Sequence, residues 1–172
     1  MSDRANAETA AERWLLVVLK GAMVFFGLSL ALLILATVIM RYGMSNPFLA
    51  IEEAAALLGI WLYFMSGAYV TGTRAHICGG ALDLIVTRER HRRYVRFMGS
   101  AVCLFVASVA FYYAWQYGWF TMEKGRKSTY LQWPRMLWVA GMVAGFALIV
   151  FFLMMQTIRD FRSCRGTGKE AV

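Results

Sequence analysis

The sequence predicts an all-α integral membrane protein: four transmembrane helices joined by short interfacial helices, with both termini cytoplasmic. Three observations carry that reading. Of 172 residues, 60% are hydrophobic and 16% charged, against roughly 25% charged in an average soluble domain, so the chain has more apolar surface than one water-soluble core can hide. Four long runs lack acid or base, and about 20 apolar residues cross roughly 30 Å of hydrocarbon. Basic residues are unequally shared: 13 of 18 lie in the N-terminal arm with Lys20, between spans two and three, or after span four. Cytoplasmic loops hold such an excess, though Lys124, Arg126, Lys127 and Arg135 dilute it on the opposite side.

Residues 1–13 form a cytoplasmic arm rich in alanine and glutamate, and a short surface helix is expected to lead from it into the membrane. The membrane domain covers 14–158, with spans at about 14–40, 54–73, 97–122 and 136–158. Lys20 is tolerated near the start of span one because its long stem reaches the headgroups. The first run is too long for a signal-peptide core, and no small-residue cleavage pattern ends it, so it stays as an anchor.

Span one ends at Arg41, and Ser45-Asn46-Pro47-Phe48 reads as a turn followed by a helix start. Asn46 caps the free amides, and Pro47 suits a first helical position that needs no donor. A helix from Pro47 to Thr73 would run about 40 Å at ~1.5 Å per residue, longer than the hydrocarbon. Its opening turns, through Glu52 and Glu53, therefore belong at the external interface, continuous with span two or bent away from it.

The connection from Arg74 to Arg96 is the longest and most charged, and its second half is expected to form an interfacial helix. Trp115, Tyr117, Trp119 and Phe120 near the end of span three, with Trp133 and Trp138 around the start of span four, occupy aromatic-belt positions at one interface. Gly141 and Gly145 in span four stand one turn apart, as do Ala55 and Gly59, and Gly67 and Thr71, in span two. Small residues at that spacing let helix backbones approach closely in lipid. Residues 159–172 form a cytoplasmic tail, polar and disordered from Arg162 on.

Several functions lose their usual evidence. The net charge of +8 comes from residues flanking apolar spans, which selects anionic lipid as a partner and not nucleic acid. Cys78, Cys103 and Cys164 are odd in number and imply no structural disulfide. Those cysteines with His76 and His91 show no compact ligand spacing for a metal, and both histidines lie in one polar loop, where they cannot ligate haem between spans. No phosphate loop, nucleophile elbow or paired-cysteine motif occurs, so neither catalysis nor a cofactor is expected. The spans offer Ser29, Thr37, Ser66, Ser108 and Gln116 but no acid or base, too little for an autonomous carrier.

The sharpest polar feature is Glu52-Glu53. Adjacent carboxylates at a membrane edge repel and lose hydration, which a nearby cation such as Arg41 would relieve. The pair is read as a polar joint, between spans or with a partner, against simple headgroup exposure. Arg74 stands about 31 Å from Glu53 along a helix axis and marks the opposite membrane face with His76, by snorkelling or by a specific contact.

Asn46-Pro47-Phe48, Glu52-Glu53, Trp61, Gly67-Ala68, Arg74 and His76-Ile77 form a series that resembles the small membrane subunit of tripartite ATP-independent periplasmic (TRAP) transporters, the DctQ-like family. Leu131-Gln132-Trp133-Pro134 resembles that family's approach to its last span. Ala50-Ile51 stands where many members have tryptophan, and Cys78-Gly79-Gly80 displaces an aspartate. The resemblance implies a scaffold that binds no substrate. A periplasmic binding protein captures a small organic anion such as a carboxylate, and a large membrane subunit of the bacterial inner membrane moves it on a sodium or proton gradient. By the same resemblance Arg41, Glu52, Glu53, Trp61, Arg74 and His76 lie at or near the large subunit, and Asn46, Pro47, Phe48, Lys124, Arg126 and Lys127 help dock the binding protein. The alternatives are a membrane anchor subunit of an oxidoreductase holding haem or quinone, and a four-span protein whose cytosolic partner reads Arg88 to Arg96.

Overall fold

The computed structural model describes residues 10–43, 50–73 and 89–166. They form four helices: α1 (Ala10–Gly43), α2 (Ala50–Gly72), α3 (Glu89–Glu123) and α4 (Met136–Gly166). Each is long and apolar enough to cross a membrane. At ~1.5 Å per residue, the 34, 23, 35 and 31 residues reach about 51, 34, 52 and 46 Å, so α1, α3 and α4 outrun roughly 30 Å of hydrocarbon.

Three boundaries differ from the sequence reading. α3 runs unbroken from Glu89 through Phe97, so among the described residues the expected interfacial stretch is continuous with span three, because no glycine or proline interrupts a stretch of glutamate and arginine that favours helix. The arm enters α1 in the same way from Ala10. α4 continues through Gly166 past the expected disorder at Arg162, since no glycine or proline lies between Arg162 and that glycine. Asn46, Pro47, Phe48, Arg74 and His76 lie outside the described residues, as does the expected bend or continuity before Ala50.

The helices alternate in direction and pack as an open row. α1 lies against α2, α2 against α4 and α4 against α3, and no other pair of described helices brings its backbones together. α2 and α4 thus occupy the middle and the two longest helices flank them. The tightest packing gathers Leu19, Met65, Ala68 and Phe152, with Leu15, Leu16, Met23 and Tyr69 around them. It lies toward the end that carries the start of α1 and the close of α4. An added Cβ at Gly72 would stand 2.8 Å from Leu16 and 3.2 Å from the Phe152 ring, so a residue without a side chain lets three helices converge there.

α4 has two packing faces. Toward α2 it presents Gly141 against the Trp61 indole and Gly145 against Phe64, where an added Cβ would overlap the phenylalanine Cβ. Toward α3 it presents Val139 and Val143, which lie over Gly118. α3 answers with a stripe of Leu104, Ala107, Phe111, Ala114, Gly118 and Thr121, at alternating steps of three and four. Ala107, Ala114, Gly118 and Thr121 of that stripe are buried, while Val102, Phe105, Val106, Tyr112 and Tyr113 on the rest of the helix are exposed. α1 likewise exposes Val24, Phe25, Leu28, Leu32, Leu35 and Ile39. Apolar flanks this broad need lipid or protein to cover them.

Candidate functional site

At one end of the row, the connection from α3 to α4 folds into a small hairpin. Gly125 adopts φ 55°, which only glycine reaches without steric cost, and its amide donates to the Met122 carbonyl at 3.1 Å to close α3. The chain then pairs with itself: the Ser128 amide donates to the Trp133 carbonyl at 2.8 Å and the Arg135 amide to the Arg126 carbonyl at 2.9 Å. Gln132 takes φ 54° at the turn, and its side-chain amide donates to the Thr129 carbonyl at 3.1 Å.

Glu53, in the first turn of α2, sits under this hairpin. Its carboxylate accepts from the Ser128 hydroxyl, from the Thr129 amide at 3.0 Å, from the Tyr130 amide at 3.2 Å to each oxygen, and from the Leu131 amide at 3.0 Å. Four consecutive donors thus converge on one anion, the arrangement of a backbone nest. The sequence reading looked to a cation such as Arg41 to relieve this carboxylate; the geometry supplies amide dipoles. Ser128 is buried although it lies in a connection, because its hydroxyl is committed to Glu53.

Trp61 lies two turns further along α2 and faces inward. Its indole stacks on Phe26 of α1, with centroids 5.7 Å apart, packs on Gly141 of α4, and donates from Nε1 to the Leu137 carbonyl at 3.1 Å. One side chain therefore ties three helices together. Gly67 has room to spare, its nearest neighbour being Ile149 at 3.7 Å from an added Cβ, and Gly59 faces nothing within 4 Å.

The hairpin carries its charge outward. Lys124, Arg126 and Lys127 are exposed, with Lys124 and Arg126 reaching over the Phe120 ring at 5.8 and 5.3 Å, a cation-π arrangement that orders basic side chains in water. Trp115, Tyr117, Trp119 and Trp133 are exposed at the same end, and Trp119 Nε1 donates to Glu123 at 2.9 Å.

Arg41 and Glu52 lie near Glu53 but play a different part. Both are exposed, and they line a groove between α1 and α2 with Ile34, Thr37, Val38, Tyr42 and Ala55.

The opposite end is held by contacts that no local motif announces. Arg159 of α4 pairs with Glu12 of α1, a glutamate only 5% exposed. Gln156 donates to the Thr71 carbonyl of α2 at 2.6 Å, and Ser100 of α3 donates to Asp160 at 2.8 Å. Residues 147, 85 and 60 positions apart leave no spacing signal to find. The α3 stripe did leave one, in its small residues at steps of three and four.

Between the two ends three of the span hydroxyls bond within their own helices. Thr37 donates to Leu33, Ser66 to Tyr63 and Ser108 to Leu104, at 2.7 to 2.8 Å. Such back-bonding consumes the donor that a mid-membrane substrate would need. Among the described residues no cluster of three metal-ligating side chains occurs. The chemistry available is recognition at the two ends and packing between them.

Comparison with known proteins agrees with this division. A search among curated proteins finds no match. The family model described as "Tripartite ATP-independent periplasmic transporters, DctQ component" matches residues 30–163, which takes in the last turns of α1, all of α2 and α3, the hairpin and nearly all of α4. The chain therefore belongs to the DctQ family: it is the small membrane component of a TRAP transporter, a multi-pass protein that partners a large membrane subunit and a periplasmic binding protein.

Proposed function

We propose that this chain is a stationary brace for the large transport subunit in the bacterial inner membrane, and that its hairpin helps dock the binding protein during gradient-driven uptake of a small organic anion such as a carboxylate. Both termini face the cytoplasm in this reading, which puts the hairpin and Glu53 on the periplasmic side and Arg74 and His76 on the other. The supporting observation is the open row of helices. A carrier that moves one part against another needs a wide fixed part, and a row with long apolar flanks widens a neighbour in a way a closed bundle cannot. The exposed faces of α1 and α3 are the surfaces offered to that neighbour.

Docking is supported by the hairpin's form. Lys124, Arg126 and Lys127 project from a loop held by Glu53, and an ordered basic surface recruits an acidic one with little entropy lost. Asn46, Pro47 and Phe48, which come just before α2 in the sequence, belong to the proposed surface. Family membership does not favour the oxidoreductase anchor.

The test is reconstitution in liposomes with a large subunit and binding protein. The chain alone should show no uptake, and the complex should show uptake dependent on both partners. Replacing Lys124, Arg126 and Lys127 with Gln should raise the binding-protein concentration needed for half-maximal uptake, with little change at saturation. Uptake by the chain alone would refute the brace, and an unaltered concentration dependence would refute docking by the hairpin.

A further inference from the structure

The groove between the last turns of α1 and the first turns of α2 combines two opposite charges with an apolar floor. Its volume is about 330 Å³, at the lower edge of the ~300–1,000 Å³ typical of small-molecule sites. Polarity is graded along its length. Arg41 and Glu52 stand at the rim with Tyr42, and Ile34, Val38 and Ala55 line the part that runs toward mid-span. From Arg41 down to Ile34 is about 10 Å at ~1.5 Å per residue, the depth of a headgroup and the first methylenes beneath it. Ile34 and Val38 are about half exposed and Tyr42 more so, so the groove opens sideways, where lipid lies.

The charges are complementary to a headgroup of two signs. Arg41 and Glu52 line the same groove, yet they form no ion pair with each other, and neither makes an ion pair or hydrogen bond elsewhere among the described residues. Thr37, between them and the apolar floor, has already donated its hydroxyl to Leu33. The site thus offers guanidinium donors to a phosphate, a carboxylate to a cation, and an apolar slot to a chain.

We propose that this groove binds an aminophospholipid of the phosphatidylethanolamine type, with its phosphate on Arg41, its ammonium on Glu52 and an acyl chain along Ile34, Val38 and Ala55. Phosphatidylglycerol satisfies Arg41 but brings no cation to Glu52. Phosphatidylcholine brings a cation with no N–H to donate. The inference needs only that the helices span a membrane and does not depend on what the hairpin docks.

The test is native mass spectrometry of the full chain in detergent, mixed with equal amounts of phosphatidylethanolamine and phosphatidylglycerol of identical acyl chains. Retention of the ethanolamine lipid should exceed that of the glycerol lipid by about two- to fivefold, the scale of an exposed charge pair. Glu52→Gln should abolish the preference while leaving total bound lipid near the wild-type amount. Arg41→Gln should lower retention of both, and Lys124→Gln, at the same end but outside the groove, should change neither. Equal retention by the wild type, or a preference that survives Glu52→Gln, would overturn the proposal. Weakening of the complex with the large subunit by Glu52→Gln, with lipid selectivity intact, would assign the groove to that protein instead.

Discussion

Glu52 and Glu53 are adjacent and chemically identical, and the fold gives them different work. One helical step turns Glu53 under the hairpin, where amides converge on it, and leaves Glu52 on the open groove. Glu53→Gln keeps the shape but turns an amide NH₂ toward donors that need an acceptor. Hydrogen exchange at the Thr129, Tyr130 and Leu131 amides should accelerate in this variant, while the helices and their melting are little affected. Ser128→Ala, which removes one donor and leaves the carboxylate, should loosen the same amides less. Unchanged exchange in Glu53→Gln would show that the hairpin holds itself. At the far end, Arg159→Ala removes one partner of the buried Glu12 carboxylate, and stability should fall by about 1.5–3 kcal/mol, the scale of a hydrogen bond to a charged group. Pairing it with Glu12→Gln should recover much of that loss, as read from thermal melts in detergent.

At the scale of elements, α4 shares the middle of the row with α2 and packs on both α2 and α3. Its α2 face depends on two glycines with unequal tolerance. Gly145→Ala places a methyl into the Phe64 Cβ, which is bonded directly to a helix backbone and cannot swing away, so about 1–3 kcal/mol should be lost to overpacking. Gly59→Ala meets nothing within 4 Å and should be neutral or slightly stabilising through helix propensity. Comparing the two melts separates packing from propensity, and equal losses would contradict the close approach at Gly145. That spacing was readable as a small-residue pair, but nothing in it said which helix would approach. Gly59 shows the limit of the signal, since an identical spacing with Ala55 faces open space.

For the whole molecule, the row of helices and its alternating directions make a statement about sides. Single cysteines at Thr129 and Thr73 in a cysteine-free background should react with membrane-impermeant reagent from opposite faces of sealed vesicles, Thr129 from the periplasmic face. Labelling of both from one side would remove the four-span arrangement and the brace with it. An open row also explains why so large a share of α1 and α3 is apolar and exposed: in lipid there is no penalty for leaving such a face uncovered until a protein takes it.

The sequence by itself determined the number of spans, their approximate limits, the placement of charge at their ends and the family, because each depends on runs of about 20 residues or on short contiguous motifs. It also singled out Glu53, Trp61, Gly141 and Gly145 as candidates. What only the tertiary structure decided is what those residues touch. The partners of Glu53 lie 75 to 78 positions away, and those of Trp61 lie on two other helices. In a membrane the alternation of spans prescribes which ends meet, but not which helices are neighbours in the plane. That order is settled by side-chain volume at the contacts, where Gly118, Gly141 and Gly145 admit a close neighbour and the bulky flanks of α1 and α3 do not.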